Sequence, residues 1–216
     1  MYLVRLELPD RPGALGAVAT ALGTTGADIV SVDIVERRNG TAIDDFVIDL
    51  PPGVTPDSLI TSGQSVAGVN VHWVARYSAG ADALRDLEAV EAMTTDPVQA
   101  AATLTALAPG VFMGDWALLV QADAPGGPKR LAASRTAPDL PPQVADEPWP
   151  APTMPSRIQV PVSWQEAGWT DLAVTTPVGP ATTQLVVGRS GGPEFLDSEL
   201  ARLGHLANLA VTISRA

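Results

Sequence analysis

The 216-residue sequence contains no cysteine, a single lysine and few aromatic residues. The lack of cysteine excludes disulfides, thiolate catalysis, zinc ribbons, iron–sulfur ligation and thioether-linked chromophores. Because Lys129 is the single lysine and the net charge is −11, the chain lacks the clustered positive charge that neutralises phosphates. We therefore expect no nucleic acid partner. Hydrophobic residues make up 46%, which is enough apolar surface for packed cores without metal or disulfide.

A continuous apolar run long enough to cross a membrane is also missing. The uncharged stretches 97–114 and 172–188 are both interrupted by threonines and by internal proline or glycine, so neither predicts a spanning helix. The first residues, MYLVRLELPD, show no basic segment followed by an apolar core and a cleavage site. We expect a cytoplasmic protein with no membrane partner.

Over residues 1–77 the hydrophobic pattern alternates between a period of two and a helical period. The pattern predicts the order βαββαβ, an α+β ferredoxin-like domain with a four-stranded antiparallel sheet and both helices on one face. The apolar stripe of the first helix consists of Leu15, Val18, Ala19 and Leu22. The core face of the second strand consists of Val30, Val32 and Ile34, and that of the fourth strand consists of Val69, Val71 and Trp73.

The sheet face without helices needs a cover, which a second subunit or domain can supply. Ile29, Val35 and Val47 lie off the inferred core face and would give that face an apolar surface. Such a surface favours association with another copy. We therefore predict a homodimer with this sheet or its edge in the interface.

The connection from the first strand to the first helix, "LPDRPGALG", is short and holds two prolines and two glycines. Pro12 fixes φ where the helix begins, and Gly13 removes a Cβ. The amides of Ala14 and Leu15 then offer donors at the positive end of the helix dipole, where a carboxylate can bind. The simpler alternative is that Asp10 and the Pro-Gly pair only cap and start the helix.

The stretch "LPDRPGALGAVATALGTTGADIVSVDI" resembles the ACT domain, a small regulatory module that senses amino acids beside metabolic enzymes. The resemblance covers residues 1–77 and rests on the Asp-Arg-Pro-Gly-x-Leu turn, the helix length, the "GADI" segment and the strand order. It implies an amino-acid ligand between this turn and the start of the second strand, often that of a neighbouring subunit. The matching ligand-binding positions are Asp10, Pro12, Gly13, Ala14, Leu15, Asp28 and Ile29.

In that family, side-chain amides often occupy one or both ends of the site, whereas this chain has Asp10 and Asp28. An aspartate only accepts hydrogen bonds, so it suits the ammonium of a ligand and repels its carboxylate. We expect the carboxylate on the amides of Ala14 and Leu15 and the ammonium near either aspartate, with Gly13 leaving the space. The alternative is a dimerisation module without a ligand.

Beyond a connecting helix or linker at 78–96, residues 97–216 form a second predicted domain. Its closing stretch, "TTQLVVGRSGGPEFLDSELARLGHLANLAVTI", resembles the last strand and helix of a GAF domain, a sheet flanked by helices that binds small effectors or dimerises. No polar cluster matches the family's nucleotide-binding pattern, so we interpret it as a scaffold. Seven prolines between Thr136 and Ser156 predict a loop there.

The remaining polar residues favour no catalytic or metal centre. His72 and His205 are far apart without a third ligand, and we assign the Asp44–Asp45 pair to a solvated strand face. We expect no enzyme and no cofactor, but a dimeric regulatory protein that binds an amino acid or related acid, with a metabolic enzyme or regulatory protein as a further partner. The alternatives are an interaction scaffold and, third, an enzyme that uses acidic residues alone.

Overall fold

The computed structural model describes residues 1–77, 81–125, 127–140, 149–150, 152–170, 172–179 and 182–216, without the side chains of residues 81–83. The chain separates into two compact units, Met1–Ala81 and Asp82–Ala216. The finer division at 78–96 stays a prediction. We describe the two units separately.

The first unit has the predicted βαββαβ order. Its elements are β1 (Tyr2–Pro9), α1 (Ala14–Gly23), β2 (Asp28–Arg38), β3 (Thr41–Asp49), α2 (Asp57–Gln64) and β4 (Asn70–Arg76). The strands form one antiparallel sheet in the order β2-β3-β1-β4. The predicted α+β ferredoxin-like class is therefore confirmed.

The core of the first unit lies between one sheet face and the two helices. Alternate residues of β1 and β3 meet apolar side chains of α1 and α2, as the period of two and the helical stripe require. The fully buried members are Val4, Leu6, Leu8, Val18, Leu22, Phe46, Ile48 and Leu59. Leu15, which we placed on the helix stripe, is instead 40% exposed.

Two bulges interrupt the edge strand β2. Its pairing with β3 shifts between Ile29 and Ser31 and again between Ile34 and Glu36. Each extra residue resets the alternation of side chains, so Ile29 packs on the core together with Val32. Val30 is 48% exposed and Ile34 is 50% exposed, and the prediction that both are buried is wrong.

A further shift lies between β1 and β4. Arg5 is paired with Trp73, but the next residue, Leu6, is paired with Val71, so His72 is the extra residue. Val71 and Val74 consequently pack on the core. Trp73 is opposite Arg5, off the core face, contrary to the strict alternation that we assumed.

The residues from which we predicted a dimer surface do not form one. Ile29 packs against the helix-side core, and Val47 is only 4% exposed in the single chain. Val35 is half-buried. The homodimer stays a prediction, and any surface for it must come from other residues.

In the described part of the second unit, helices of different lengths accompany a five-stranded antiparallel sheet, whose strands, defined in the next sentence, lie in the order β6-β5-β9-β8-β7. Its elements are α3 (Ala81–Thr95), a 3-10 turn (Pro97–Gln99), α4 (Ala100–Val111), β5 (Trp116–Gln121), β6 (Lys129–Ala133), β7 (Ser156–Gln159), α5 (Val162–Gln165), β8 (Leu172–Pro177), β9 (Thr183–Arg189) and α6 (Asp197–Ile213). Ala89 and Met93 of α3 are buried in its main core, so this helix packs with the second unit.

α4 continues through Pro109 to Val111, because a proline in the last turn removes only one hydrogen bond. Residues 162–165 form the short helix α5. Of the predicted proline-rich loop, residues 141–148 and 151 lie outside the described residues, while Trp149 stacks on Trp164 with ring centroids 5.6 Å apart. Trp149 is thus part of a core cluster.

The turn from β9 to α6 is fixed by a buried arginine. Arg189 donates to Glu199 Oε1 at 2.9 Å and to the Phe112 carbonyl at 2.7 Å. The second oxygen of Glu199 accepts the Leu196 amide at 2.7 Å and so satisfies the start of α6. The segment "GRSGGPEF" is therefore held by protein groups as a strand-to-helix connection.

Asp45 is not solvated, contrary to our assignment of the Asp44–Asp45 pair. Its carboxylate accepts two hydrogen bonds from the Arg5 guanidinium, both at 2.8 Å. Arg5 is 2% and Asp45 is 8% exposed. Bidentate geometry and burial make this a strong pair whose members depend on each other.

We predict that Asp45→Asn lowers the free energy of unfolding by about 3–5 kcal/mol, because Arg5 is left buried without its counter-charge. Urea unfolding measures this loss. The double variant Arg5→Met with Asp45→Leu should recover most of it, and an Asp45→Asn protein as stable as the parent would contradict the assignment.

Candidate functional site

The turn between β1 and α1 is held in one conformation by backbone hydrogen bonds. The Asp10 amide donates to the Gly40 carbonyl at 2.9 Å, and the Arg11 amide donates to the Pro9 carbonyl at 2.8 Å. Gly13, just before α1, has φ +88°. A Cβ added to Gly13 would meet no described atom within 4 Å. The glycine is therefore required by its left-handed backbone, and the expectation that it leaves space for a ligand stays a prediction.

Only one of the two expected helix-start donors is available. The Ala14 amide donates to the Arg11 carbonyl at 3.2 Å, whereas the Leu15 amide has no partner among the described residues. α1 has no side-chain cap. The interpretation of Asp10 as a simple cap is therefore wrong, and the Leu15 amide is the donor that remains for an anion.

A pocket of about 350 Å³ opens beside this turn. It is lined by Leu8 and Pro9 of β1, by the turn residues 10–15, by Ile34 and Arg37 of β2, and by Ala42 and Asp44 of β3. Known small-molecule pockets have volumes of about 300–1,000 Å³, so this one suits a small ligand.

The structure brings together one part of the predicted site and leaves out the other. Asp10, Pro12, Gly13, Ala14 and Leu15 all line the pocket. Asp28 and Ile29 do not. The register pairs Asp28 with Asp49, whereas Pro9, next to Asp10, is paired with Thr41 at the other end of β3. In one chain the two aspartates thus lie at opposite ends of the sheet, and one small ligand cannot contact both. The ligand-binding role of all seven residues stays a prediction.

Arg37 is a pocket residue that the sequence analysis missed. Strict alternation from Ile34 would direct Glu36 toward the same side, but the bulge after Ile34 moves Arg37 there instead. Its Nε lies 3.9 Å from Asp10 Oδ1, with both side chains substantially exposed. The bulge therefore replaces a negative group with a positive one at the pocket wall.

Asp44 is the second missed residue. It is 2% exposed, and its Oδ1 has no hydrogen-bond partner among the described residues. Burial raises the pKa of Asp44; Arg37 opposes this change, and Asp45 and Asp10 add to it. Asp44 alternates with the apolar residues Phe46 and Ile48, both of which are buried in the core, so the sequence contained the signal for its burial.

The pocket therefore presents both charge signs within a small space. The Leu15 amide at the helix start and the Arg37 guanidinium favour an anionic group. Asp44 and Asp10 favour a cationic group. Across the described residues, no group of three or more His, Asp or Glu could hold a metal ion. The arrangement suits a small zwitterion.

None of the helices in the described part of the chain combines the length and apolar composition that crossing a membrane requires.

The first unit is thus a ferredoxin-like α+β domain with a ligand-sized pocket at its first turn. The family model of the ACT domain matches residues 2–59, which lie within this unit and within the stretch whose sequence resembles that domain. Comparison with curated proteins gives no match.

Among solved structures, the chain is similar to the GAF domain of a protein described as a sensor histidine kinase from Pseudomonas syringae pv. tomato. That match has 16% identity and a TM-score of 0.40, and covers 59% of this chain and 82% of the other. A formyltetrahydrofolate deformylase from Pseudomonas putida KT2440 matches at 12% identity and a TM-score of 0.29. The match covers 44% of this chain and 38% of the deformylase. A protein from Galdieria sulphuraria described as unknown matches at 14% identity and a TM-score of 0.31, covering 59% and 75%.

We predict that Gly13→Ala lowers the free energy of unfolding by about 1–2 kcal/mol, because the left-handed conformation disfavours a Cβ. Gly16→Ala, three residues further along and inside α1, should raise stability by about 0.5–1 kcal/mol, since Gly16 has no positive φ and has open space for a Cβ. Thermal unfolding of both variants measures the contrast. Equal effects of the two changes would contradict the assigned turn.

Proposed function

We propose that this protein is a cytoplasmic, non-enzymatic regulator that binds an amino acid or a related small acid in the pocket of its ACT domain and acts as a homodimer. The supporting observation is the pocket beside the turn between β1 and α1, which a helix start and Arg37 line together with Asp44 and Asp10. An α-amino acid carries a carboxylate and an ammonium on adjacent atoms, so it can satisfy both sides at once.

The position of Asp28 gives a reason for the dimer. β2 is an 11-residue edge strand, and Val30 and Ile34 on it are about half exposed. If two β2 edges pair antiparallel, the start of one strand lies beside the end of the other, as in any antiparallel pair. Asp28 of a second copy would then approach the pocket beside Arg37, which Asp28 of the same chain cannot reach.

A second candidate function is an interaction scaffold whose ligand site has degenerated. It is favoured by one observation, the separation of Asp10 from Asp28 within the chain. Under this alternative the exposed β2 edge serves assembly alone. A metabolic enzyme or another regulatory protein would be the partner of either assembly.

Binding of the common L-amino acids, measured by thermal shift and calorimetry, tests the proposal. We expect at least one to bind, and Ile34→Trp to weaken that binding by at least tenfold because the indole enters the pocket. Leu131→Trp is the matched control: Leu131 is 47% exposed, close to the 50% of Ile34, but lies in the second unit. If no amino acid binds, or if both variants bind like the parent, the amino-acid site is wrong.

The dimer has its own test. We expect light scattering to give twice the monomer mass at micromolar concentration, and Val30→Lys to shift it toward the monomer, because a charge on an edge strand opposes pairing. Val98→Lys, at an 83% exposed position of the second unit, is the control. A monomeric parent protein would contradict the dimer without affecting the pocket.

A further inference from the structure

We infer that Asp44, and not Asp10 or Asp28, receives the primary ammonium group of the ligand and so makes the pocket selective for amines. This inference rests on the proposed function, since it names the residue that selects the ligand within the same site. It differs from the sequence-based expectation, in which Asp44 belonged to a solvated face.

The first argument is the position of Asp44. Its neighbours in the sheet are Leu6 on β1 and Ile34 on β2, both apolar. The residue is 2% exposed, yet it lines the pocket together with Arg37 and Ala42. Asp44 therefore borders the pocket although almost none of the residue is exposed to solvent.

The second argument is that one carboxyl oxygen of Asp44 is buried without a hydrogen-bond partner among the described residues. Burying a carboxyl oxygen without a hydrogen bond costs several kcal/mol unless a proton or a cation compensates. The adjacent Asp45 is compensated by Arg5. Asp44 Oδ1 has no such partner in the described part of the chain. A ligand that supplies a hydrogen-bonding cation removes this cost, so its binding energy includes that relief.

The third argument is that the other charged groups at the pocket have different tasks. Arg37 lies near Asp10, with Nε 3.9 Å from its Oδ1, and Asp10 is already substantially solvated. Asp10 thus gains little from a ligand cation, because exposed pairs contribute at most about 1 kcal/mol. The Leu15 amide, Arg37 and Arg11, which also lines the pocket, remain for the carboxylate of the ligand.

A primary ammonium fits this position better than a metal ion. Only two acids, Asp10 and Asp44, line the pocket, and metal ions such as Mg²⁺ and Ca²⁺ take six or more oxygen ligands. An ammonium group has three donors and needs only a few acceptors. A ligand that is only an anion could use Arg11 and Arg37, but it would leave Asp44 Oδ1 without a partner among the described residues.

The charged groups that face Asp44 are Arg37 from β2, Asp10 from the turn and Asp45 from its own strand; its β1 neighbour, Leu6, carries no charge. Burial raises the pKa of Asp44 above that of an unfolded aspartate. The folded protein then holds the proton longer, and stability falls as the pH rises from the ordinary aspartate pKa to the raised value. Because the ammonium needs the ionised carboxylate, affinity for an amine should rise over the same pH window.

Asp44→Asn tests the inference, since it keeps the shape and removes the charge. We expect the variant to bind the tightest amino acid of the panel roughly 10- to 100-fold more weakly, the range of a charge-assisted hydrogen bond. Without ligand, its Tm should equal or exceed that of the parent, with a difference that grows as the pH rises above the ordinary aspartate pKa. Asp33→Asn, at an exposed position of β2, is the control and should change neither quantity.

A zwitterion and two probes that each carry one of its charges separate this inference from the proposed function. L-alanine, L-lactate and ethylamine are titrated into protein with ¹³C-labelled aspartate, and the Asp44 carboxyl signal is assigned by the Asp44→Asn spectrum. A shift with alanine and ethylamine but not with lactate supports the inference. If no amino acid binds but ethylamine still shifts the signal, the proposed function fails and Asp44 remains an amine site.

Three results would overturn the inference. The first is an unchanged Asp44 signal with every amine. The second is Asp44→Asn binding an amino acid as tightly as the parent does. The third is a shift produced by MgCl₂ and not by ethylamine, which would make Asp44 a metal ligand.

Discussion

The pocket of the first unit depends on one irregularity, the extra residue after Ile34 in β2. Without it, Glu36 would share a side of the sheet with Ile34, and the pocket would hold three acids and no nearby strand cation. With it, Arg37 lies beside Asp10 and limits the rise in the pKa of Asp44. A bulge on an edge strand costs little pairing energy, because only one partner strand is affected. The site is therefore built where the sheet is easiest to deform.

Asp44 and Asp45 show how one strand can serve stability on one face and binding on the other. Both are nearly buried, yet Asp45 has Arg5 as a bidentate partner whereas Asp44 Oδ1 has none among the described residues. A carboxylate that is kept without compensation reduces stability, and stability is commonly given up where a group is needed for function. The contrast between two adjacent, chemically identical residues is stronger evidence for a binding role than the burial of either alone.

The order of elements in the first unit could be predicted because each strand and helix has a clear hydrophobic period and each turn has its glycine or proline. Which face of the sheet an individual side chain lies on could not be predicted wherever a bulge interrupts the strand. Val30, Ile34 and Trp73 were misplaced because a bulge changes the alternation without leaving a mark in hydrophobicity. The part of the site in the turn could be predicted from Pro12 and Gly13. Arg37 and Asp44 could not, because they lie on different strands and only the pairing register brings them together.

The distance between Asp10 and Asp28 bears on how regulation could work. If a ligand used Asp28 of a second copy for its ammonium, each binding event would require the dimer, and ligand and assembly would stabilise each other by linkage. If Asp44 holds the ammonium, both charges of the ligand are met within one chain, and binding no longer requires association. Coupling would then have to pass through β2, which contributes Ile34 and Arg37 to the pocket and Val30 to the exposed edge. β2 can carry such coupling because the bulge that brings Arg37 to the pocket and the free edge that a second copy would pair with belong to the same strand.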